Sequence, residues 1–521
     1  MKKLIFIAAT IFLLPFIGMK GTPAGNPVTS HSQSSSSAGN APAKSSGQSG
    51  YISPTPGRFP IIAYSPVTDE RIPTKADFDT LKACGFNCAM TLFNHDEYFE
   101  LMGEIKDLGI TFIPILDNYT NRGDCDGIKN FITDTRQFMR DNDIPDSLIG
   151  GYRIKDEPAY KFIDALSPCY NAAKNADPLV MPIINLPAEP SGDFRPEAST
   201  QAYSSNPGKR DTMSMYLNHL YESVHPAVWS YDYYPILYKS DANKIEVNDN
   251  DFYYNLQLFA RLSKEKGIPF WAFCESSHVR YCNTNEKTYK ERPVATEEYL
   301  RYEAFSALAF GAKGINYWRY SDRGDDYSQV NKKGDYLLYI SALTDTLGNR
   351  EPAWKCAQAV NMEIHKHGQM FLNGELASYS FFDSNLNTNV YVRPTDGADI
   401  PEYDGSVYIK AVSGKGILVS RIDDGLENIL IVNLDPFSST KVTIGEYPYR
   451  RVYKECDLVY FPIADPNLPI IGPVDEDDPN IYIDVNKYTT SEITLKPGDY
   501  RIMHYRKMSS TGDNQDIAQN Q

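Results

Sequence analysis

The feature of this 521-residue chain that most restricts its fold is a series of eight short apolar runs alternating with amphipathic stretches. The runs are Phe59–Tyr64, Phe86–Leu92, Thr111–Leu116, Leu148–Ile154, Leu179–Ile184, Val228–Tyr233, Ile268–Phe273 and Gly314–Trp318. Short, continuous apolar character is expected of strands that helices cover. Between the runs, Lys75–Cys84, Glu97–Leu108, Ile128–Met139, Phe252–Lys266 and Glu297–Phe310 carry apolar residues at helical spacing. Gly85, Gly109, Gly267 and Gly311 follow four of these stretches, where a left-handed cap is wanted. Alternating strand–helix units imply an α/β fold with a parallel sheet. Eight of them predict closure into a (β/α)8 TIM barrel, with functional residues at the carboxyl ends of the strands. The competing arrangement, an open doubly wound sheet, usually has a Gly-rich turn after its first strand. Here that position reads Ala63-Tyr64-Ser65-Pro66.

Past Gly314 the pattern changes. Tyr336–Leu347 and Trp354–His367 are expected to be helices that finish the barrel. Beyond Asn373 come short alternating runs: Ser406–Val412, Ile417–Ile422, Asn428–Asn433, Lys441–Ile444, Ile481–Val485 and Tyr500–Tyr505. Turn residues such as Asp423-Asp424-Gly425 separate them, so a C-terminal all-β sandwich is expected. The predicted division is a barrel over 58–373 and a sandwich domain over 374–507.

The two ends read differently. Lys2 and Lys3, the apolar run Leu4–Ile17 and small residues from Gly21 to Ala24 follow the order of a secretory signal peptide over 1–24. A membrane anchor is the competing reading, but the run falls short of the roughly 20 residues a span needs. Segment 25–57 is rich in Ser, Gly and Pro, as a linker is, and 508–521 is a polar tail. An exported protein is expected. The net charge of −16 argues against nucleic acid or anionic membrane surfaces as partners and fits a neutral substrate. Eight scattered cysteines include no C-x-x-C pair, so a zinc ribbon or thioredoxin-like site is not expected. Cys274 and Cys282 are close enough in sequence to bridge a loop. His95 and His278 lack ligand-like spacing, and neither a metal nor a cofactor is expected.

The residues just past each run are Tyr64, Phe93-Asn94-His95, Asp117-Asn118-Tyr119, Lys155-Asp156-Glu157-Pro158, Asn185, Tyr231-Asp232-Tyr233-Tyr234, Cys274-Glu275-Ser276 and Trp318-Arg319-Tyr320. Acids, amides and aromatics thus converge on one rim. Glycoside hydrolysis needs such a set: one carboxylic acid to protonate the leaving oxygen, and a second carboxylate to attack the anomeric carbon or activate water. Asp-Glu-Pro alone is also an ordinary helix start, since acids and Pro suit a first turn. The place of this one after the fourth of eight strands is what marks it. Glu275 has a plain alternative role as a structural ion-pair partner, and Trp318 as barrel packing.

The run Gly150-Gly151-Tyr152-Arg153-Ile154-Lys155-Asp156-Glu157-Pro158 resembles the strand-4 motif of clan A glycoside hydrolases, retaining (β/α)8 enzymes. The resemblance covers roughly residues 58–373. It implies that Glu157 is the acid/base and Glu275, at the end of strand 7, the nucleophile, with the carboxylates about 5–5.5 Å apart. It also implies a sugar platform at Trp318 and a nucleophile contact from Tyr233. Tyr64, Asn94, Asn118, Asn185 and Asp156 complete the expected carbohydrate-binding set. One departure stands out: Asp156 occupies the place of the clan's usual Asn. An Asp-Glu pair after a barrel strand also resembles N-acetylhexosaminidases, in which the substrate acetamide is the nucleophile. A barrel that binds glycans without cleaving them is a third possibility.

Overall fold

The computed structural model describes residues 51–506, apart from 69–70, 94–96, 189–210, 284–287, 324–335, 383, 385, 387–399, 404, 406–408 and 447–488. The expected signal segment, most of the linker, the polar tail, Asn94, His95 and the run Ile481–Val485 lie outside the described residues.

Each of the eight apolar runs overlaps a strand: β1 (Ile61–Tyr64), β2 (Cys88–Thr91), β3 (Thr111–Pro114), β4 (Gly151–Asp156), β5 (Met181–Pro187), β6 (Trp229–Asp232), β7 (Phe270–Glu275) and β8 (Ile315–Trp318); β4, β5 and β7 extend past the ends of their runs. They form one sheet in the order β3-β2-β1-β8-β7-β6-β5-β4, with every pairing parallel. Two isolated parallel bridges, Phe112 with Ile149 and Ile115 with Arg153, join β3 to the β4 side and close the ring.

The two faces of the strands bury different things. Ile62, Cys88, Met90, Ile113, Met181, Ile183 and Trp271 form a core cluster inside the ring. Ile61, Ala63, Ala89, Phe112, Ile184, Tyr231 and Ile315 point instead into the layer between ring and helices. The closeness of that interior packing is visible at Gly314, where an added Cβ would lie 2.7 Å from the Trp271 indole. The expected caps Gly85, Gly109, Gly267 and Gly311 all have positive φ.

The helices after Ala83 depart from expectation in places. Ile163–Ala176 is a helix with Pro168 inside it, which hides it from a reading that treats Pro as a breaker. Cys125 and Cys169 form a disulfide with Cα atoms 4.5 Å apart, tying helix Cys125–Asp141 to Ile163–Ala176. Cys274 and Cys282 are free, so the loop bridge considered between them does not form.

Tyr336–Leu347 is not a helix. Tyr336–Ser341 is a strand, because its aromatic and β-branched residues find an antiparallel partner in His278–Asn283. It belongs to a five-stranded antiparallel sheet with Thr288–Arg292, Ile236–Lys239 and Lys244–Val247, all drawn from the segments that follow β6, β7 and β8.

After helix Pro352–Lys366 the chain forms two antiparallel sheets. One holds Glu375–Phe382, Ile417–Asp423, Leu426–Asn433 and Tyr500–Arg506; the other holds Ile409–Gly414, Thr440–Glu446 and Thr489–Leu495. Period-two alternation splits the first sheet between two cores. Ile417, Val419, Ile429 and Ile431 join Val442, Ile444 and Leu495 of the second sheet in one cluster. Leu418, Ile422, Leu430 and Val432 join the barrel's outer layer. Helix Glu297–Ala309 is buried along Leu300–Ala309, with Phe305 stacked on Tyr500 at a centroid distance of 3.5 Å.

Candidate active site

Alternation along the barrel strands decides which rim residues face inward. In β7, Phe270, Ala272 and Cys274 belong to the outer layer, so Trp271, Phe273 and Glu275 face the ring interior. In β8, Ile315 and Tyr317 are outward, which turns Asn316 and Trp318 inward. The same rule places Tyr64, Arg153 and Asn185 inside. In β6, Tyr231 stacks on Phe259 (4.0 Å) and Tyr233 on Phe252 (6.3 Å), both on helix Asp249–Lys266. Asp232 and Tyr234 therefore take the inward positions.

Glu157 follows β4 in the left-handed region, with φ +38°. A non-glycine residue there is strained and persists only when its surroundings hold it. Its N–H donates to the Asn185 carbonyl at 2.9 Å. The Asp232 carboxyl acts on it as a hydrogen-bonding neighbour, in the direction that favours ionised Glu157 and protonated Asp232. Burial first, then Asp156, raises the Glu157 pKa above the ordinary carboxylate range, against the opposing pull of Asp232, Arg292 and Lys155. Asp232 is pushed well above its usual value by burial, then by Glu157 and Asp156. The Asn185 amide Nδ2 donates to Asp156 Oδ1 at 3.1 Å and to Asp232 Oδ1 at 3.2 Å, and Ser230 Oγ fixes its oxygen at 3.0 Å. Arg153 Nε and Nη2 bind Asp117 at 3.2 Å, while Nη1 lies 3.6 Å from Asp156.

Glu275 has different company. Its Oε1 accepts from the Ser277 N–H at 2.9 Å and the Ser277 hydroxyl at 2.6 Å; Oε2 accepts from Arg292 Nη1 at 2.7 Å. Burial raises its pKa, and Arg292 and Ser277 work against the rise. Arg292 is carried in by the antiparallel sheet and lies over the Tyr234 ring at 4.1 Å. Tyr234 is pushed far up by burial, with contributions from Asp232, Glu275 and Glu157. The Tyr234 hydroxyl is buried without a hydrogen-bond partner among the described residues.

Register sets Trp318 beside Glu275. The Trp318–Arg319 peptide is cis. Tyr64 packs on the Trp318 ring at 4.6 Å and carries the Arg153 guanidinium 5.0 Å from its own ring.

Of the expected residues, Glu157, Asp156, Asn185, Glu275, Trp318 and Tyr64 sit on this mouth. Asn118 is exposed on the short helix Asp117–Asn121, and its neighbour Asp117 makes the contacts. Tyr233 lies in the helix layer, and Tyr234 packs against the Arg292 guanidinium that binds Glu275. Asp232, Tyr234 and Asp117 were placed on the rim from sequence without a role, and Arg292 was not singled out. Alternation from Tyr231 would have turned the first two inward; Arg292 arrives on a hairpin and has no local signal. Among the described residues no group of three or more His, Cys, Asp or Glu is arranged to hold a metal.

No family model and no curated protein sequence matches this chain. Solved structures that resemble it include an Ignisphaera aggregans GH53 catalytic domain, at 15% identity and TM-score 0.36, covering 59% of this chain and 99% of that one. An endo-β-1,4-mannanase from Thermotoga petrophila gives 11% and 0.34, covering 75% and 94%. A β-glucosidase from Thermotoga maritima gives 10% and 0.36, covering 60% and 98%. These neighbours are glycoside hydrolases, but likenesses this distant carry no argument about activity, which rests on the site itself.

Proposed function

We propose that this protein is an exported glycoside hydrolase that cleaves O-glycosidic bonds with retention, using Glu157 as acid/base and Glu275 as nucleophile. The observation that carries the reading is the contrast between the two carboxyls: both lie at the carboxyl ends of barrel strands, yet their partners differ in kind. Glu157, among other acids, is suited to keep a proton and give it to the departing oxygen. Glu275 accepts three hydrogen bonds from donors, which leaves it aimed as an anion at an anomeric carbon. After the glycosyl-enzyme bond forms, Glu157, now ionised, takes a proton from water, which then releases the sugar. Trp318 and Tyr64 offer ring faces to a sugar, and Asn185 and Asp156 offer polar groups to its hydroxyls.

Export is supported by the N-terminal pattern and by the Cys125–Cys169 disulfide, a bond that persists in oxidising compartments. The core shared by the two C-terminal sheets supports a sandwich domain over 374–507 beside a barrel domain over 58–373. Incubation of the purified protein with a glycan panel, with proton NMR of the first-formed product, tests the reading. The expected result is cleavage with the substrate's anomeric configuration kept. Inversion excludes Glu275 as nucleophile. Cleavage confined to acetamido sugars and blocked by a thiazoline moves the nucleophile to the substrate. Binding without cleavage removes the enzyme.

A further inference from the structure

We infer that the face of the antiparallel sheet that carries Arg292 into the mouth is a binding surface for a uronic-acid-containing glycan, held through a row of three lysines. That the glycan is a substrate rests on the glycosidase reading; the row itself does not. In an antiparallel pair, residues directly opposite each other share a face. Across five strands the register sets Leu337, Tyr281, Lys290, Lys239 and Lys244 in one row. Lys290 stands two residues before Arg292 in strand Thr288–Arg292, so the row and Arg292 share that face. The Arg292 contacts agree: its guanidinium lies 5.3 Å from the Tyr281 ring, while Nη1 donates to Glu275 Oε2 at 2.7 Å. Two residues of strand span about 7 Å, and neighbouring strands stand about 4.8 Å apart. The lysines therefore begin about 7 Å along the sheet from Arg292 and run on across roughly 10 Å.

Like charges directly opposite each other destabilise a sheet, and here three stand side by side. Glu246 answers two of them, pairing with Lys239 and, at 2.7 Å, with Lys244. Lys290 is exposed and has no ion-pair partner among the described residues. The other face of the sheet is built the opposite way. There Arg280 stands opposite Glu291, and its Nε lies 2.8 Å from Glu291 Oε2. Unlike charges are paired on one face and like charges aligned on the other, which leaves a positive surplus on the face that meets the mouth.

The net charge of −16 alone favours a neutral substrate. The lysine row reverses that field locally, beside the mouth, and attracts an anionic one. Its occupant carries carboxylates directly on its sugar rings. Tyr281 is exposed and adjoins Lys290 in the row, so a ring lying on the tyrosine face brings a carboxylate on its own carbon to the ammonium. A sulfate ester holds its charge farther from the ring, beyond an exocyclic oxygen, and matches this spacing less well. Lysine supplies a point charge on a flexible stem and not a planar fork, which suits carboxylates repeated along a chain.

Titration calorimetry on the full chain tests this, with Glu157→Gln throughout so that no ligand is consumed. The probes are galacturonate, mannuronate and glucuronate oligomers, the same oligomers with their carboxyls reduced to alcohols, and a sulfated neutral oligomer. At least one uronate oligomer is expected to bind, and its reduced counterpart on the order of tenfold more weakly. Lys239→Gln, Lys244→Gln and Lys290→Gln combined should cost a similar factor, and the difference should shrink as ionic strength rises. Lys441→Gln, an equal change of net charge on the C-terminal sheet, should cost nothing. Equal binding of acidic and reduced oligomers, or undiminished binding by the combined variant, overturns the inference. Sulfated oligomer bound as tightly as uronate overturns the assigned occupant. If the combined variant fails to fold, the comparison of acidic with reduced oligomers on the otherwise unaltered row still decides. Uronate binding in a parent that cleaves no glycan keeps the surface and discards the glycosidase; cleavage of neutral glycans without uronate binding does the reverse.

Discussion

The two halves of the barrel mouth are built on the same residue and surround it differently. On the β4–β6 side, Glu157 meets carboxyls: Asp156 next to it and Asp232 as a hydrogen-bonding neighbour. On the β7–β8 side, Glu275 meets donors: Ser277 through N–H and hydroxyl, and Arg292 through its guanidinium. Burial lifts the pKa of both, so desolvation alone does not distinguish them. Neighbours do. Placing one carboxyl among acids and another among cations and N–H groups is how one fold runs acid and base chemistry at the same pH.

The largest expected effect separates the halves outright. Glu275→Ala should bring turnover to background on every substrate, because no covalent intermediate can form. Glu157→Ala should lose roughly 10²–10⁴-fold on substrates with poor leaving groups. It should lose much less in the first step with activated aryl glycosides, and added azide should restore turnover by taking the place of water. Steady-state rates on both substrate types check this. Equal losses for the two variants on all substrates would break the division of roles.

A smaller effect probes the cation. Arg292 opposes the upward push of burial on Glu275 and, to a smaller extent, on Glu157. Arg292→Met keeps bulk under Tyr234 and removes the charge. A carboxyl that loses a neighbouring cation is harder to ionise, so the acid limb of kcat/KM should move to higher pH by on the order of 1–3 units. The alkaline limb, set by Glu157, should move the same way by less. An acid limb that stays in place would mean that Ser277 alone holds Glu275.

The sequence carried the strands better than the mouth. Eight apolar runs fall on eight barrel strands because burial on both faces leaves an uninterrupted apolar signature. The same regularity fails where the chain leaves the barrel. Tyr336–Ser341 has apolar spacing that suits a helix turn, and only its distant partner His278–Asn283 makes it a strand. Site residues followed the same division. Glu157, Glu275 and Trp318 end their strands and were legible by position. Tyr233 against Tyr234 was a one-residue error of facing, since an extended chain turns successive side chains to opposite sides; Asn118 against Asp117 arose because the short helix Asp117–Asn121, and not a strand, follows β3. Arg292 reaches Glu275 from 17 residues further along, through a hairpin whose register no local pattern specifies.

The smallest effect tests what lies behind Glu275. Glu303, on helix Glu297–Ala309, is buried, and its Oε2 accepts the Glu275 backbone N–H at 2.7 Å. Burial pushes its pKa well above the ordinary value; the Glu275 N–H and Arg292 oppose this, and the Glu275 charge adds to it. In the unfolded chain the same carboxyl ionises near about 4.3. The folded pKa lies above the unfolded one, so Glu303's contribution to stability is fully present below the unfolded value. It is lost progressively as pH rises toward the folded value, because the folded state binds the extra proton. Glu303→Gln keeps an oxygen for the Glu275 N–H and removes the ionisable group. Tm should therefore be close to the parent's near pH 4 and higher than the parent's near pH 8, by roughly a few degrees, which flattens the dependence of Tm on pH. Turnover should fall less than in the Glu275, Glu157 or Arg292 variants, since the strand end keeps its acceptor. If Tm drops equally at both pH values, Glu303 is ionised in the folded protein and paired with Arg292. The cation would then serve two carboxylates, and the donor-rich half of the mouth would be less distinct from the acid-rich half than its hydrogen bonds make it.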